Sequence, residues 1–147
     1  MTQTPDAAQA LAEQACAAMF ANDRASQGLG IAIASIAPGR ATATMTVRPD
    51  MLNGFGLCHG GFITTLADTA FAFACNSYNE MTLASGIDAE FLKGAKLGDR
   101  LQADASEQSQ AGRLGVYDIA VRNQHDELIA LVRGRSYRLR GKPVVGA

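Results

Sequence analysis

The sequence predicts an α+β fold: an antiparallel sheet wrapped around one long central helix, with a short N-terminal helix ahead of it. Three observations point there. Residues 60–77 form a run of small and apolar residues in which Ile63, Leu66, Ala67, Ala70, Phe71, Ala74 and Cys75 recur at three- and four-residue spacing, the period of a buried helix. Strand-like segments lie on both sides of that run, joined by connections too short for crossover helices, which favours antiparallel pairing. A lone buried helix also needs a sheet curled around it to cover its apolar surface.

The elements follow in order. Residues 5–22 read as an amphipathic helix, with Pro5 tolerated in its first turn and Leu11, Ala15, Ala18 and Met19 as its apolar stripe. Asn22-Asp23 and then Gly28 are read as its end. Residues 29–36 and 40–47 are expected to pair as a hairpin across the Pro38-Gly39 turn. A loop spans 49–58, and the central helix starts near Gly60. Residues 82–93, 100–110, 113–124 and 128–139 read as strands, and the last residues, GKPVVGA, as a frayed tail. The expected organisation is an N-terminal helix and connector over 1–27, one domain over 28–140 and a tail over 141–147.

Composition narrows the function. The chain has 147 residues, enough for one sizeable core, with 48% hydrophobic and 18% charged residues, the balance of a soluble globular domain. A formal net charge of −1 argues against nucleic acid as a partner. No apolar run reaches the length of a membrane span, and the start lacks a basic signal-like segment, so no membrane partner and a cytoplasmic location are expected. Cys16, Cys58 and Cys75 are odd in number and lack metal-type spacing, which implies reduced thiols and no metal.

The stretch from Asn53 to Asn76, NGFGLCHGGFITTLADTAFAFACN, carries the chemistry. A glycine-rich turn ends in His59-Gly60-Gly61, and one acid, Asp68, interrupts the apolar helix that follows. The first turn of a helix has N–H groups with no internal acceptor, and together with the helix dipole they suit a developing negative charge. Glycine leaves no side chain in a ligand's way. An ionised carboxylate on an apolar helix is costly without partners or a task. An oxyanion-binding helix start and such an acid together suggest acyl chemistry. Asp68 would attack an acyl carbon or activate water for that attack; the bland alternative is a structural ion pair. Gly60 N–H would hold the oxyanion, while Gly61 permits close packing. Asn53, before Gly54, has the position of a turn residue, and His59 that of a polar loop residue. Thr69 could bond to the acid or to a substrate, and Thr64 lies one turn before Asp68; either could instead bond back to helix carbonyls, the commoner role of a helix threonine. Cys58-His59 is not read as a nucleophile and base, because adjacent residues rarely face each other. Arg133, Arg135, Arg138, Arg140 and Lys142 crowd the C-terminus, as a solvated sheet edge or, with Lys93 and Lys96, a patch for phosphates.

Spacing also implies a partner. Gly60 and Asp68 on one helix lie about 12 Å apart along its axis at about 1.5 Å per residue. A reacting carbonyl needs its nucleophile within about 3–3.5 Å and its oxyanion donors within about 3 Å. One helix cannot supply both to one carbonyl, but two antiparallel helices can, so a catalytic pair made of these residues requires a homodimer with the site across its two-fold axis.

Asn53, His59-Gly60-Gly61 and Leu66-Ala67-Asp68, with ADTAFAFACNSYN on the helix, GVYDIAVRNQ at 115–124 and LVRGRSYR at 131–138, closely resemble the hotdog-fold thioesterases, specifically the phenylacetate-degradation thioesterase family. The resemblance covers roughly residues 28 to 140. It implies hydrolysis of aryl-acetyl-coenzyme A thioesters, phenylacetyl or hydroxyphenylacetyl, within aromatic degradation. It implies Asp68 as the catalytic acid, Gly60 as the oxyanion donor, His59 as an orienting donor, and Asn53 as a residue that orients the attacking water or the facing acid. Gly61, Thr69 and Ser85, the last on the strand after the helix, are the implied substrate contacts. Coenzyme A enters as part of the substrate and no other cofactor is implied; paired hotdogs in the family often assemble further into homotetramers. Competing readings are a non-catalytic acyl-coenzyme A-binding module, a thioesterase for other short or medium acyl groups, and a hotdog hydratase. The hydratase pattern has His five residues after the Asp, where this chain has Phe73.

Overall fold

The computed structural model describes residues 2–146. Helix α1, Pro5–Asn22, starts on a Thr4 cap whose Oγ1 accepts from Ala7 N–H at 3.2 Å. Where the sequence suggests that the helix merely ends, Asp23 instead caps a second short helix, α2, Arg24–Gly28, accepting from Ser26 N–H at 3.0 Å and Ser26 Oγ at 2.6 Å. Strands β1, Ala32–Ala37, and β2, Arg40–Thr46, form the expected hairpin. Helix α3 runs from Gly60 to Asn76, followed by β3, Thr82–Phe91, β4, Arg100–Ala111, β5, Leu114–Arg122, and β6, Leu128–Arg138. These strands form a single antiparallel sheet in the order β1-β2-β4-β5-β6-β3, with α3 lying along its inner face. No helix among the described residues is long and apolar enough to cross a membrane.

Small residues let α3 approach the sheet. Ala43 pairs with Ala103 and Ala41 with Ala105 across β2 and β4, and all four are buried. Larger core residues, among them Met45, Leu101, Ile119 and Ile129, close the sides of this alanine floor. The Phe71 ring of α3 lies against Gly134 of β6 so closely that a Cβ there would meet three ring atoms at 2.9 Å. Phe71 also tilts onto Tyr117, the cross-strand partner of Gly134, with ring centroids 5.4 Å apart.

The end of α3 is tied to the start of β3 by one buried amide. Asn76 Nδ2 donates to Thr82 C=O at 2.9 Å, and Thr82 N–H donates to Asn76 Oδ1 at 2.9 Å. This two-way bond imitates a strand pair and fixes where β3 begins relative to the helix. The sheet has two edges. Edge β1 is tied to α1, whose Gln9 Nε2 donates to Ile36 C=O at 2.8 Å. Edge β3 is open and carries exposed Leu83 and Phe91, an unusual row of apolar side chains for an unpaired edge.

The expected frayed tail is held in place as far as Val145, and Ala147 lies outside the described residues. Met81 N–H donates to Lys142 C=O at 2.7 Å, and Asn79 exchanges two hydrogen bonds with Val145. This segment therefore belongs to the folded unit.

A Gly134→Ala substitution should overpack Phe71 and destabilise the fold by about 1–3 kcal/mol. Thermal unfolding would then shift down by about 3–10 °C; an unchanged midpoint would show that Phe71 has room to move.

Candidate active site

The site begins in the loop between β2 and α3. Asn53 Oδ1 accepts from Phe55 N–H at 2.9 Å and Leu57 N–H at 3.1 Å, and Asn53 N–H donates to Leu57 C=O at 2.7 Å. Its carbonyl oxygen is thus spent on folding the loop, as expected of a turn residue. The Nδ2 group finds no acceptor among the described residues. Cys58 N–H donates to Ala95 C=O at 2.8 Å and His59 N–H to Met51 C=O at 2.7 Å, which aims the chain into the helix.

His59 is the N-cap of α3. Its Nδ1 accepts from Gly61 N–H at 2.9 Å, so the ring proton resides on Nε2, which points a donor away from the helix. The His59 backbone carbonyl accepts from Phe62 N–H at 3.0 Å. Of the first-turn donors, Gly60 N–H alone has no acceptor among the described residues. It is the group a developing oxyanion needs. The Phe91 ring packs against Gly60 so tightly that a Cβ there would lie 2.9 Å from it. Glycine at 60 thus lets β3 and the helix start meet. Gly61 has its N–H committed to the His59 cap.

Asp68 lies two turns further along α3. Its carboxyl is open to solvent at the surface of the protomer but borders an apolar pocket of about 510 Å³ lined by Met19, Ala72, Met81, Leu83 and Val144. Although the residue is exposed on the single protomer, its surroundings partly desolvate the carboxyl and raise its pKa above the ordinary carboxylate value, and the nearby negative charge of Asp23 raises it further. Asn53 and Gly60 line a different pocket, of about 320 Å³, with Phe91, Leu92 and Lys93. A single protomer therefore brings Asn53, His59 and Gly60 together and holds Asp68 apart from them. A further cavity, of about 610 Å³, lies around the Arg133–Asp118 ion pair and shares no lining residue with either.

The remaining sequence candidates are placed as follows. Thr69 is buried, donates to Thr65 C=O at 2.8 Å and meets Ser26 Oγ at 3.1 Å, and Ser26 in turn bonds Asp23. Its hydroxyl is committed inward to holding α2, the back-bonded role, rather than presented to a substrate. Thr64 likewise donates to Gly60 C=O at 2.8 Å. Ser85 is the extra residue of a bulge in β3 and donates to Arg135 C=O at 3.2 Å, outside the Asp68 pocket lining. Cys58 is buried with its thiol pKa raised by burial, the opposite of an activated nucleophile. Arg133 and Arg135 pair with Asp118 and Asp88 on neighbouring strands, and Lys93 with Glu127.

Sequence reasoning missed Asp23, whose cap signal was visible as an Asp three residues before Ser26. It also missed Met81 and Val144, for which no local signal exists, because they reach the site only through long-range pairing.

Comparisons with known proteins agree with this geometry. The thioesterase superfamily profile matches residues 55–130. The chain is 47% identical to the acyl-coenzyme A thioesterase PaaI of Escherichia coli over 84% of its own length and 89% of that protein. The solved structure of E. coli PaaI, a protein from the phenylacetic acid degradation operon, superposes with a TM-score of 0.89 at 45% identity and covers 91% of this chain and 97% of that one. A mutant of the phenylacetic acid degradation protein PaaI from Thermus thermophilus superposes with a TM-score of 0.77 at 33% identity, over 80% of this chain and 100% of that one.

A raised carboxyl pKa has a stability consequence with a definite sign. The folded state holds the Asp68 proton more tightly than the unfolded state, so stability falls as pH rises from the ordinary carboxylate pKa of 3.8 through the raised folded value. Asp68→Asn removes that loss. The variant should melt at a higher temperature than wild type at pH 7, and the gap should close below about pH 4. Melting curves taken across this range check the sign; a gap that persists in acid would trace the gain to packing instead.

Proposed function

The chain belongs to the thioesterase superfamily, and from that premise we propose that it cleaves aryl-acetyl-coenzyme A thioesters, of the phenylacetyl or hydroxyphenylacetyl type, into a carboxylic acid and free coenzyme A. It is an acyl-coenzyme A thioester hydrolase. The aryl-acetyl preference is supported by relatives named for phenylacetic acid degradation and by an apolar pocket beside the acid.

The observation that carries the mechanism is the free Gly60 N–H at the start of the same helix that bears Asp68. In the proposed reaction the thioester carbonyl oxygen accepts from Gly60 N–H. The ionised Asp68 carboxylate either takes a proton from water as that water's oxygen bonds to the carbonyl carbon, or bonds to the carbon itself and is released by water afterwards. Negative charge gathers on the carbonyl oxygen, where the N–H and the helix dipole stabilise it. The carbon–sulfur bond then breaks: in the first route the departing thiolate takes the proton that Asp68 took from water, and in the second it leaves as thiolate and takes its proton from the water that later cleaves the acyl–Asp68 anhydride. His59 Nε2–H and the free Asn53 Nδ2 serve as orienting donors.

Both groups come to one thioester in a homodimer. Phe91, at one end of β3, touches Gly60, while Leu83, at the other end, lines the Asp68 pocket. Antiparallel pairing of two open β3 edges about a two-fold axis sets the Phe91 end of one copy beside the Leu83 end of the other. Gly60 is thereby carried towards the partner's Asp68. The pairing also covers the exposed apolar edge, and two such dimers would form the expected tetramer.

Coenzyme A release should be measured from phenylacetyl, hydroxyphenylacetyl, benzoyl, short-chain and long-chain thioesters. Aryl-acetyl thioesters should be turned over best, and Asp68→Asn should lower kcat by about 10²–10⁴-fold. Thioester binding without turnover would leave a binding module in place of an enzyme.

Mixing two inactive chains tests the shared site. Asp68→Asn and Gly60→Val homodimers should each be inactive. A co-refolded equimolar mixture should recover about a quarter of wild-type activity, because half the dimers are mixed and each mixed dimer holds one intact site. No recovery would place the site within one protomer.

A further inference from the structure

Val144 stands near the end of the chain, yet it lines the pocket of Asp68. It is held there by a clamp. Asn79 Nδ2 donates to Val145 C=O at 2.9 Å, and Val145 N–H donates to Asn79 Oδ1 at 2.8 Å. Asn79 occupies the left-handed region, with φ of 60°, in the turn that joins α3 to β3. The same turn grips the tail a second time: Leu139 N–H donates to Met81 C=O at 2.8 Å, and Met81 N–H to Lys142 C=O at 2.7 Å. Met81, fixed by these bonds, lines the pocket beside Val144. Met19 of α1 and Ala72 of α3 complete the apolar lining, and the Asp68 carboxyl borders it.

Ordering an irregular segment costs backbone entropy, so such a segment stays loose unless something ties it down. Here two sets of hydrogen bonds do so, and the result is an apolar wall next to an acid. We propose that the clamped C-terminal segment is the wall that limits the size of the acyl group, with Val144 as the residue in contact with the acyl moiety and Asn79 as the positioning residue that holds it. The inference rests on the reading of this pocket as the acyl side of the thioesterase site. An acyl group of aryl-acetyl size ends at this wall, and a long straight chain has to run through it.

The test compares kcat/KM for octanoyl- and phenylacetyl-coenzyme A in the full-length dimer. Val144→Ala removes two methyl groups from the wall and should raise the octanoyl-to-phenylacetyl ratio by about 10-fold, the scale of small changes in an apolar pocket. Asn79→Gly keeps the left-handed turn, which glycine adopts freely, and deletes both clamp bonds. It should raise the ratio in the same direction and speed amide exchange at Val145. Asn79→Asp keeps the acceptor for Val145 N–H and should restore part of the wild-type ratio, which a general loss of stability would not do. A wild type that turns over thioesters while the ratio stays flat in both Val144→Ala and Asn79→Gly overturns this inference and leaves the thioesterase reading intact. A wild type that turns over none of them overturns both.

Discussion

The molecule is organised around a rigid helix that offers free N–H groups at only one of its ends. Gly60 N–H is free in the first turn of α3, whereas Gly61 N–H is taken by His59 Nδ1 and the N–H groups of Phe62 and Ile63 by the His59 carbonyl. The acid stands two turns along the same rod. No bending of a buried helix brings them to one carbonyl, which is why the proposed mechanism takes one group from each of two such helices. Much of the fold maintains that arrangement. The alanine floor of β2 and β4 and the contact of Phe71 with Gly134 hold α3 against the sheet. The Asn76 amide fixes β3 to the helix end, and Phe91 on Gly60 fixes it to the helix start. The open edge strand is thereby locked to both candidate groups, so in the proposed dimer the pairing of two such edges would set their separation between copies.

The same rod carries opposing demands. A helix packed in a sheet is best apolar, whereas a hydrolase needs a charge beside an apolar pocket. The threonines of α3 resolve this by returning their hydroxyls to the helix carbonyls, Thr64 to Gly60, Thr65 to Gly61 and Thr69 to Thr65. Asp68 is not resolved in that way. No hydrogen bond from the described residues satisfies its carboxylate, and Asp23 adds repulsion. A carboxylate left this poorly stabilised is more basic than one in water, which is the property a base or nucleophile at neutral pH requires. Asp23 cannot be removed without consequence elsewhere, because it caps α2 through Ser26, and Ser26 meets Thr69 on the helix.

Apart from α2, the elements of the fold were legible in the sequence to within a few residues, because their signals are local. The three- and four-residue spacing of Leu66, Ala70, Phe71 and Ala74 marks α3, and strict alternation marks β2, where Ala41, Ala43 and Met45 point inward. Gly60 and Asp68 stood out as candidates for the same reason: helix starts and charged residues on apolar faces are sequence features. The parts that were not legible depend on partners far away in the chain. Asn79 and Val145 are separated by 66 residues, and nothing in GKPVVGA distinguishes a clamped tail from a loose one. Thr69 looked available to a substrate until Ser26, 43 residues earlier, was placed on its hydroxyl. Asn53 shows the intermediate case, since its turn role was readable from Gly54 but its free Nδ2 emerges only once Phe55 and Leu57 have claimed its oxygen.

These long-range elements share a location. The groups placed at the reacting carbonyl sit on α3 and its entry loop, in the middle of the chain, where any shift would disturb the sheet core. The pocket wall beside Asp68 comes largely from elsewhere: Ala18 and Met19 on α1, Met81 in the turn before β3, and Val144 in the tail. The tail reaches this wall through its hydrogen bonds to the turn that joins α3 to β3, outside the strand pairs of the sheet. Chemistry and selectivity are thus carried by separable parts of the fold. The helix and the strand edge determine that a thioester is cleaved, and the chain ends, tied back by single polar side chains such as Asn79, determine how much acyl group fits beside the acid.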